Sequence, residues 1–512
     1  MHTIASRLYL SRLRGGALRC CGRGSLTRSA PEAKGTFFRN HFVTTALCCP
    51  SRVSLWTGRQ AHNTNVTDVS PPYGGYPKFN AGYDTYYAGK LFNAHTVDNY
   101  HSPYVNGFNG SDFLLDPYTY SYLNTPYQQN QNAPVSYEGR HTVEVITEKA
   151  LGFLDDALAD DRPFFITVAP VAPHSNVDTG TMDTDLPTGL TEPIPLDRHK
   201  DPFEGVTIPR TEHFNPDQPS GVNWIRTLAK QHEETVAYHD LFYRRRLQSL
   251  QGVDELVNSL VTKLEASGQA DNTYIIYTSD NGYHIGQHRL PWARFGVEAD
   301  KDENAVTTHI DLVPSIFDLA GIPVREDFDR TPIPLPSSAG TAHPRHGHVT
   351  VEYWGIAYLE GEKGTLANPS HIPFVLNNTY KSVRIIGEDY NLYYSVWCNN
   401  EHELYDLTVS CSSFFSGYAN ANFIDRPVPI EQPLLSARSG TGLRGRASLL
   451  QPAKGSTCIK PWDGLHPDGD VQNLQDALGS QYDEFYANQA RSEGPQEALS
   501  YSRYGLSWDA WA

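Results

Sequence analysis

The sequence predicts an α/β domain with a mainly parallel central sheet flanked by helices, followed by a smaller antiparallel sheet. Two apolar runs, 163–170 and 273–279, have the length and the β-branched and aromatic content of buried strands. Amphipathic helices precede both runs, and this alternation is typical of a parallel sheet. From about residue 348, short strands with hairpin-like spacing replace this alternation of helices and strands. We therefore expect three parts: 1–34, 35–340 and 341–512.

The N-terminal segment 1–34 contains six arginines, has no acidic residue before Glu32 and lacks the apolar stretch of a secretory signal. Its composition is closer to an organellar presequence, and we expect it to be unstructured or to reflect a mis-assigned start. The net charge of −17 argues against nucleic acid as the main partner. No apolar run is long enough to span a membrane.

The α/β part should begin with a helix just after Cys48, because proline and serine at 50 and 51 favour a first helical turn. Residues 83–88 have the composition of a strand. Residues 101–139 are rich in Tyr, Asn, Gln and Pro and predict a long irregular excursion, of the kind that usually serves a site or covers a core. The apolar spacing of 142–158 predicts an amphipathic helix.

The second half of the α/β part contains a long helical region from about 223 to 267, which ends at Gly268 and leads into strand 273–279. Asp311 should cap a further helix that runs through Ala320. Beyond residue 348 we expect four short strands, at 349–354, 381–386, 391–397 and 403–407. An irregular Ser-, Gly- and Arg-rich segment should follow at 408–456, and a short helix at 461–486.

Cysteine and glycosylation patterns are only weakly informative. The seven cysteines do not form a dense disulfide framework: Cys20, Cys21, Cys48, Cys49, Cys398, Cys411 and Cys458. Asn-x-Ser/Thr sites at Asn65, Asn109 and Asn377 are compatible with a secreted glycoprotein.

The most specific motif is Cys-x-Pro-Ser-Arg at 48–52, which continues into Leu-x-Thr-Gly-Arg at 55–59. The side chain of Cys48 would face free backbone N–H groups and the positive end of a helix dipole, a natural anion site. Arg52, one turn further, can fork onto the oxygens of a bound anion and onto a nucleophile. The alternative is a vicinal cysteine pair at the start of an ordinary buried helix.

Three polar pairs, Gly89-Lys90, Pro173-His174 and Asp280-Asn281, follow expected strands. Sites in parallel sheets lie beyond the carboxyl ends of the strands. Taken singly, each pair also fits a surface lysine, a loop histidine or a turn. Together with the Cys48 helix, and in this order, they favour one site.

These motifs resemble those of type I sulfatases, and stretches such as YYAGKLFNAH, APHS and YTSDNGYHIGQHRL resemble fungal arylsulfatases, relatives of the N-acetylglucosamine-6-sulfatases. The resemblance covers most of 35–407 and also 458–486. It implies an alkaline-phosphatase-like fold and hydrolysis of small-molecule sulfate esters, above all aryl sulfates, to a phenol or alcohol and sulfate. It also suggests the secretory pathway.

The resemblance implies that a formylglycine-generating enzyme oxidises Cys48 to formylglycine, whose hydrate attacks sulfur and carries the sulfuryl group in a two-step mechanism. It further implies a calcium ion, held by Asp280, Asn281 and the modified Cys48, that polarises the sulfate and the nucleophile.

For the remaining site residues, the resemblance implies that Arg52 holds the formylglycine hydrate. Lys90 and His174 would bind sulfate oxygens, and one of them would protonate the leaving phenolate. His284 occupies a position where related sulfatases often have histidine. Arg294 could replace a family lysine in substrate binding.

The chain also departs from the family. Family members begin with a buried strand ending in an Asp-Asp pair, which supplies two more calcium ligands, and no such pair precedes Cys48. A family strand is missing after Leu290, and an imperfect gene model would explain both gaps. The alternatives are therefore a catalytically dead, truncated sulfatase-like chain with at most a binding role, or a related phosphoesterase. Phosphoesterases of this kind usually have a Ser or Thr nucleophile, and the cysteine at position 48 therefore argues against that alternative.

Overall fold

The computed structural model describes a discontinuous set of residues: 7–12, 38–70, 73–76, 85–160, 162–178, 189–211, 213–219, 221–282, 284–290, 303–333, 347–355, 357–358, 374–375, 378–387, 391–397 and 401–407. The predictions for Arg294, for Asn377 and for all residues beyond 407 lie outside this set. None of the helices in the described ranges is both long and apolar enough to cross a membrane.

The described helices and strands share the α/β order that the sequence predicts, with antiparallel strands at the C-terminal end. The helices are α1 (Cys48–Thr57), α2 (Ala61–Thr64), α3 (Thr142–Leu158), α4 (Glu233–Ala266) and α5 (Leu312–Leu319). The strands are β1 (Arg7–Arg12), β2 (Phe38–Phe42), β3 (Thr85–Lys90), β4 (Phe108–Leu114), β5 (Pro126–Gln129), β6 (Val135–Ser136), β7 (Phe165–Ala169), β8 (Asn176–Asp178), β9 (Gly189–Thr191), β10 (Thr273–Thr278), β11 (Glu303–Thr308), β12 (His348–Tyr353), β13 (Ala357–Tyr358), β14 (Phe374–Val375), β15 (Tyr380–Ile386), β16 (Asn391–Trp397) and β17 (His402–Asp406).

The central sheet has the strand order β10-β1-β7-β3-β4-β5-β6. Strand β3 pairs in parallel with both β7 and β4, and β10 runs in the same direction. Strand β1 lies antiparallel between β7 and β10, and β5 and β6 add an antiparallel ribbon at the opposite edge. The α/β fold is therefore as predicted, and the sheet is mixed.

Two sequence expectations are wrong in this sheet. Part of the segment predicted to be unstructured forms β1. Its backbone pairs with both β7 and β10, and without it the facing backbone N–H and C=O groups of these two strands would lack hydrogen-bond partners. Strand β10 is buried only at Thr273 and Tyr274 and is half-buried beyond them. Its position at the edge of the sheet explains this partial exposure.

Both faces of the sheet are covered, as the alternation of side chains along its strands requires. Ala88 and Leu114 pack in one core with α3 and α4. Their neighbours Tyr87 and Phe113 pack in a second core with α1. Helix α3 has the predicted bounds.

Helix α4 begins ten residues later than expected, at Glu233. Residues Asn223–Thr227 form a separate 3-10 turn. Glu233 and Glu234 occupy the first turn of α4, where acidic side chains complement the helix dipole.

Asp311 occupies the N-cap position of α5, as expected, but its side chain instead completes a capping box with Thr308 on the preceding 3-10 turn His309–Asp311. Its carboxylate accepts from the Thr308 backbone N–H at 2.6 Å and from Arg330 Nε at 3.1 Å, and it forms no side-chain cap on α5.

The C-terminal sheet is confirmed: its order is β12-β15-β16-β17 and all its pairings are antiparallel. Val349, Val351 and Tyr353 of β12 belong to the same core as α1. The Glu352 N–H also donates to the Thr44 carbonyl at 3.0 Å, close before α1. This sheet therefore forms one wall of the core around the Cys48 helix.

Candidate functional site

Four polar side chains follow the ends of four strands that run in one direction. Lys90 ends β3, Asp116 follows β4, His174 follows β7 and Asp280 follows β10. Because the carboxyl ends of codirectional strands meet at one edge of a sheet, this edge is the candidate site. The sequence identified three of these positions and missed Asp116.

Helix α1 begins at Cys48, and Leu47 is its extended N-cap residue. The Ser51 N–H donates to the Leu47 carbonyl at 2.9 Å, which closes the first turn. The N–H groups that precede it lack partners within the helix, and they create positive potential beside residue 48. Cys48 is 1% exposed and Cys49 is fully buried, and both are free thiols.

Arg52 ties α1 to the ends of two strands. Its Nε and Nη2 donate to Asp280 Oδ2 at 3.0 and 2.8 Å, and its Nη1 donates to the carbonyls of Lys90 at 2.5 Å and Leu91 at 3.2 Å. Ser51 Oγ donates to the Asp280 carbonyl at 2.5 Å. The guanidinium fork that the sequence assigned to a bound anion therefore holds a carboxylate and two backbone carbonyls.

Lys90 and His174 meet through Tyr120, which sequence reasoning missed. Lys90 Nζ donates to the Tyr120 hydroxyl and lies 4.2 Å from the centroid of its ring. Asn93 Nδ2 donates to the same hydroxyl at 2.9 Å. The Tyr120 ring also stacks on the His174 imidazole, with centroids 3.9 Å apart and planes inclined by 22°.

His174 is held in a defined orientation. Its Nδ1 lies 2.8 Å from the Ser175 carbonyl, so Nδ1 carries the hydrogen and Nε2 is the atom that can take up or release a proton. Its own carbonyl accepts from Tyr122 Oη at 2.9 Å, and Arg246 Nη1 donates to the Pro173 carbonyl at 2.8 Å. These bonds fix the loop after β7.

Asp116 adds a half-buried carboxylate beside Lys90. Its Oδ2 accepts from the Ala94 N–H at 2.6 Å. Burial raises the pKa of this carboxyl, and Thr119, Lys90 and Arg52 partly offset that effect. A single aspartate after a strand carries no motif, which is why the sequence did not reveal it.

Asp280 and Asn281 were predicted to bind calcium together with the modified Cys48. Asp280 Oδ1 accepts from the Asn281 N–H at 3.1 Å, and Oδ2 is engaged by Arg52. Asn281 Oδ1 is buried without a hydrogen-bond partner, as an oxygen ligand would be in the absence of its metal. Calcium requires six to eight oxygens, and no group of three His, Cys, Asp or Glu in the described ranges has metal-binding geometry. The donors in the described ranges therefore do not complete a calcium site.

His284 belongs to a group of three histidines. The rings of His213 and His288 stack with centroids 5.4 Å apart, and the His288 N–H donates to the His213 carbonyl at 2.7 Å. Burial lowers the pKa of His288 well below its ordinary value, and the charges of His213 and His284 lower it further. The role predicted for His284 remains a prediction.

Comparisons with known proteins identify the family of this chain. The family model for sulfatases matches residues 23–322. An arylsulfatase of Volvox carteri is 33% identical over 89% of this chain and 75% of its own length. A sulfatase of Metarhizium majus is 35% identical over 73% of this chain and 80% of its own length.

A solved structure also shares the fold. That structure contains a protein in complex with its substrate D-glucosamine-2-N,6-O-disulfate. The similarity covers 72% of this chain and 83% of the chain in that structure. The TM-score is 0.53 at 19% sequence identity. The family match and the extent of these relatives show that the chain belongs to the sulfatase family of sulfuric ester hydrolases.

Proposed function

We propose that this sulfatase hydrolyses aryl sulfate esters and that Cys48, converted to formylglycine, provides the nucleophile. The observation that carries the proposal is the bridge made by Arg52: it joins the helix that begins with Cys48 to the ends of β3 and β10, beside Lys90 and Asp280. The helix that carries the residue to be modified is thus held against the strand that ends in Lys90, a cation suited to sulfate. The arylsulfatase of Volvox carteri supports the choice of aryl esters.

A formylglycine at Cys48 would supply, as its hydrate, a hydroxyl group that can attack sulfur. The N-terminal end of α1 stabilises negative charge that develops there. Lys90 would donate to sulfate oxygens, so a local positive charge offsets the net charge of −17 that would otherwise repel the ester. His174, with hydrogen on Nδ1, would deliver a proton from Nε2 to the departing phenolate oxygen.

Arg52 has a positioning role in this proposal. All three of its nitrogens donate to protein groups, so it orients Asp280 and the carbonyl of Lys90. No step of the proposed reaction depends on the calcium ion that the resemblance implies, because the described oxygens do not complete the coordination of that ion.

The test is to produce the chain together with a formylglycine-generating enzyme and to examine residue 48 by peptide mass spectrometry. Turnover of an aryl sulfate and of the matching aryl phosphate is then compared. We expect formylglycine at 48, clear preference for the sulfate, and loss of turnover in Cys48→Ala. Cys49→Ala is the matched control, because it removes the adjacent buried thiol and should retain activity.

Two outcomes would contradict the proposal. Faster turnover of the phosphate would favour the phosphoesterase alternative. An unmodified Cys48 with no turnover of either ester would favour a chain that has lost catalysis.

A further inference from the structure

We infer that Tyr120 is a positioning residue with two separable contacts: its hydroxyl places the Lys90 ammonium, and its ring places the His174 imidazole. The inference rests on the proposed function, because it assigns Lys90 to sulfate binding and His174 to protonation of the leaving group. Tyr120 ends the 3-10 turn Tyr118–Tyr120, which projects from the loop after β4.

The contact between the Tyr120 hydroxyl and Lys90 matters because Lys90 is buried. This lysine is 2% exposed, and an ammonium group removed from water requires a hydrogen-bond acceptor. Tyr120 Oη accepts a hydrogen bond from this ammonium group, and Asn93 Nδ2 holds the same oxygen at 2.9 Å. The position of the ammonium is thereby set by a side chain that is itself fixed.

The ring contact follows from the stack on His174. A ring centroid distance of 3.9 Å leaves the imidazole no room to tilt toward Tyr120. The hydrogen bond from Nδ1 to Ser175 defines the second direction of the ring.

The two contacts predict different effects for two substitutions. Tyr120→Phe keeps the ring and removes the hydroxyl, so only the placement of Lys90 should suffer. Tyr120→Leu removes both, so the placement of His174 should suffer as well. A residue that merely supports the fold would not separate these effects.

The experiment measures the affinity of inorganic sulfate by calorimetry, together with kcat, KM and the dependence of kcat on the pKa of the leaving phenol. For Tyr120→Phe we expect about tenfold weaker sulfate binding and a higher KM, from the loss of one hydrogen bond to a charged group, with an unchanged leaving-group slope. For Tyr120→Leu we expect the same loss of binding and a steeper slope, because the phenolate would then leave with less proton transfer.

Tyr118→Phe is the matched control, since it makes the same change in the same 3-10 turn and should alter none of these quantities. Thermal melting of each variant separates loss of folding from loss of placement. The inference is overturned if Tyr120→Phe binds sulfate as Tyr118→Phe does, or if the two Tyr120 variants have the same slope. If the wild type binds sulfate without turnover, the proposed function fails and the binding of Tyr120→Phe still decides the hydroxyl contact. If the wild type hydrolyses the aryl sulfate but binds no inorganic sulfate, the inference about Tyr120 fails and the proposed function stands.

Discussion

Arg52 and Asp280 form a buried ion pair in which Nε and Nη2 of the guanidinium donate to one carboxylate oxygen, at 3.0 and 2.8 Å. The partners are 228 residues apart in the chain. Their contact fixes helix α1 relative to the end of β10, and the bond from Ser51 to the Asp280 carbonyl strengthens the same junction.

Replacing Arg52 by alanine should destabilise the protein strongly. The change leaves the Asp280 carboxylate buried without its counter-ion, which costs about 3–5 kcal/mol in the free energy of unfolding. Denaturant unfolding of Arg52→Ala measures this loss. Arg162→Ala is the control: Arg162 pairs with Asp160 at the surface, and its loss should cost less than about 1 kcal/mol. Similar values for the two variants would show that the buried pair contributes little.

Gly89 should tolerate no side chain. Its φ is +105°, and an added Cβ would lie 2.2 Å from the Ala169 carbonyl oxygen and 2.7 Å from Ile146 Cδ1. Gly89→Ala should therefore push β3 away from β7, cost at least about 3 kcal/mol and displace Lys90. Thermal melting and sulfate affinity report the two effects.

Gly152 in α3 provides the opposite control. No atom lies within 4 Å of the Cβ that alanine would add there. Gly152→Ala should stabilise the protein by about 0.5–1 kcal/mol, because glycine is the poorer helix former. A stable, sulfate-binding Gly89→Ala would refute the packing argument.

His62 and Glu352 should make stability depend on pH. His62 Nδ1 lies 2.9 Å from Glu352 Oε2, and Trp354 Nε1 donates to the same oxygen at 2.7 Å. Burial alone would lower the pKa of His62, but Glu352 and Asp329 outweigh both burial and Lys381, so this pKa lies above 6.5. Burial alone would raise the pKa of Glu352, but His62 and Trp354 hold it below 4.5.

The sign of each contribution follows from these directions. The contribution of His62 is complete below about pH 6.5 and disappears as pH rises through its folded-state pKa. The contribution of Glu352 is complete above about pH 4.5 and disappears as pH falls through its folded-state pKa. Wild type should exceed Glu352→Gln in unfolding free energy most between these values, and the difference should shrink toward about pH 8. A difference that grows toward alkaline pH would be the contrary result.

Cys49 should resist alkylation in the folded protein. Burial raises the pKa of its thiol to about 12, despite the Gly75 backbone and the positive charges of Arg52 and Lys90. Since the thiolate is the reactive form, iodoacetamide at about pH 8 should leave Cys49 unmodified until the protein is unfolded in urea. Peptide mass spectrometry distinguishes the two states. Equal labelling with and without urea would mean that Cys49 is accessible.

Periodicity and strand ends predicted the fold well. Helix α3 has the apolar spacing of an amphipathic helix, and its predicted bounds match those observed. Lys90, His174 and Asp280 were found because a polar residue directly after an apolar strand marks the edge of a parallel sheet.

Contacts between distant residues could not be predicted in the same way. Tyr120 belongs to a stretch rich in tyrosine, in which nothing local distinguishes the residue that reaches Lys90 and His174. Strand β1 depends on backbone pairing with β7 and β10, and an arginine-rich sequence gives no sign of that pairing. The exposure of β10 likewise follows from its place in the sheet rather than from its composition.

The C-terminal sheet forms one wall of the core around α1, so this core can be completed only late in the synthesis of the chain. Cys48 is synthesised early, whereas β12, β15 and β16, whose residues complete that core, follow roughly 300 residues later. At about 5–20 residues per second, translation leaves an interval on the order of 15–60 s before those strands exist. If Cys48 is converted as proposed, its modifying enzyme has this interval in which to reach a thiol that the finished protein encloses.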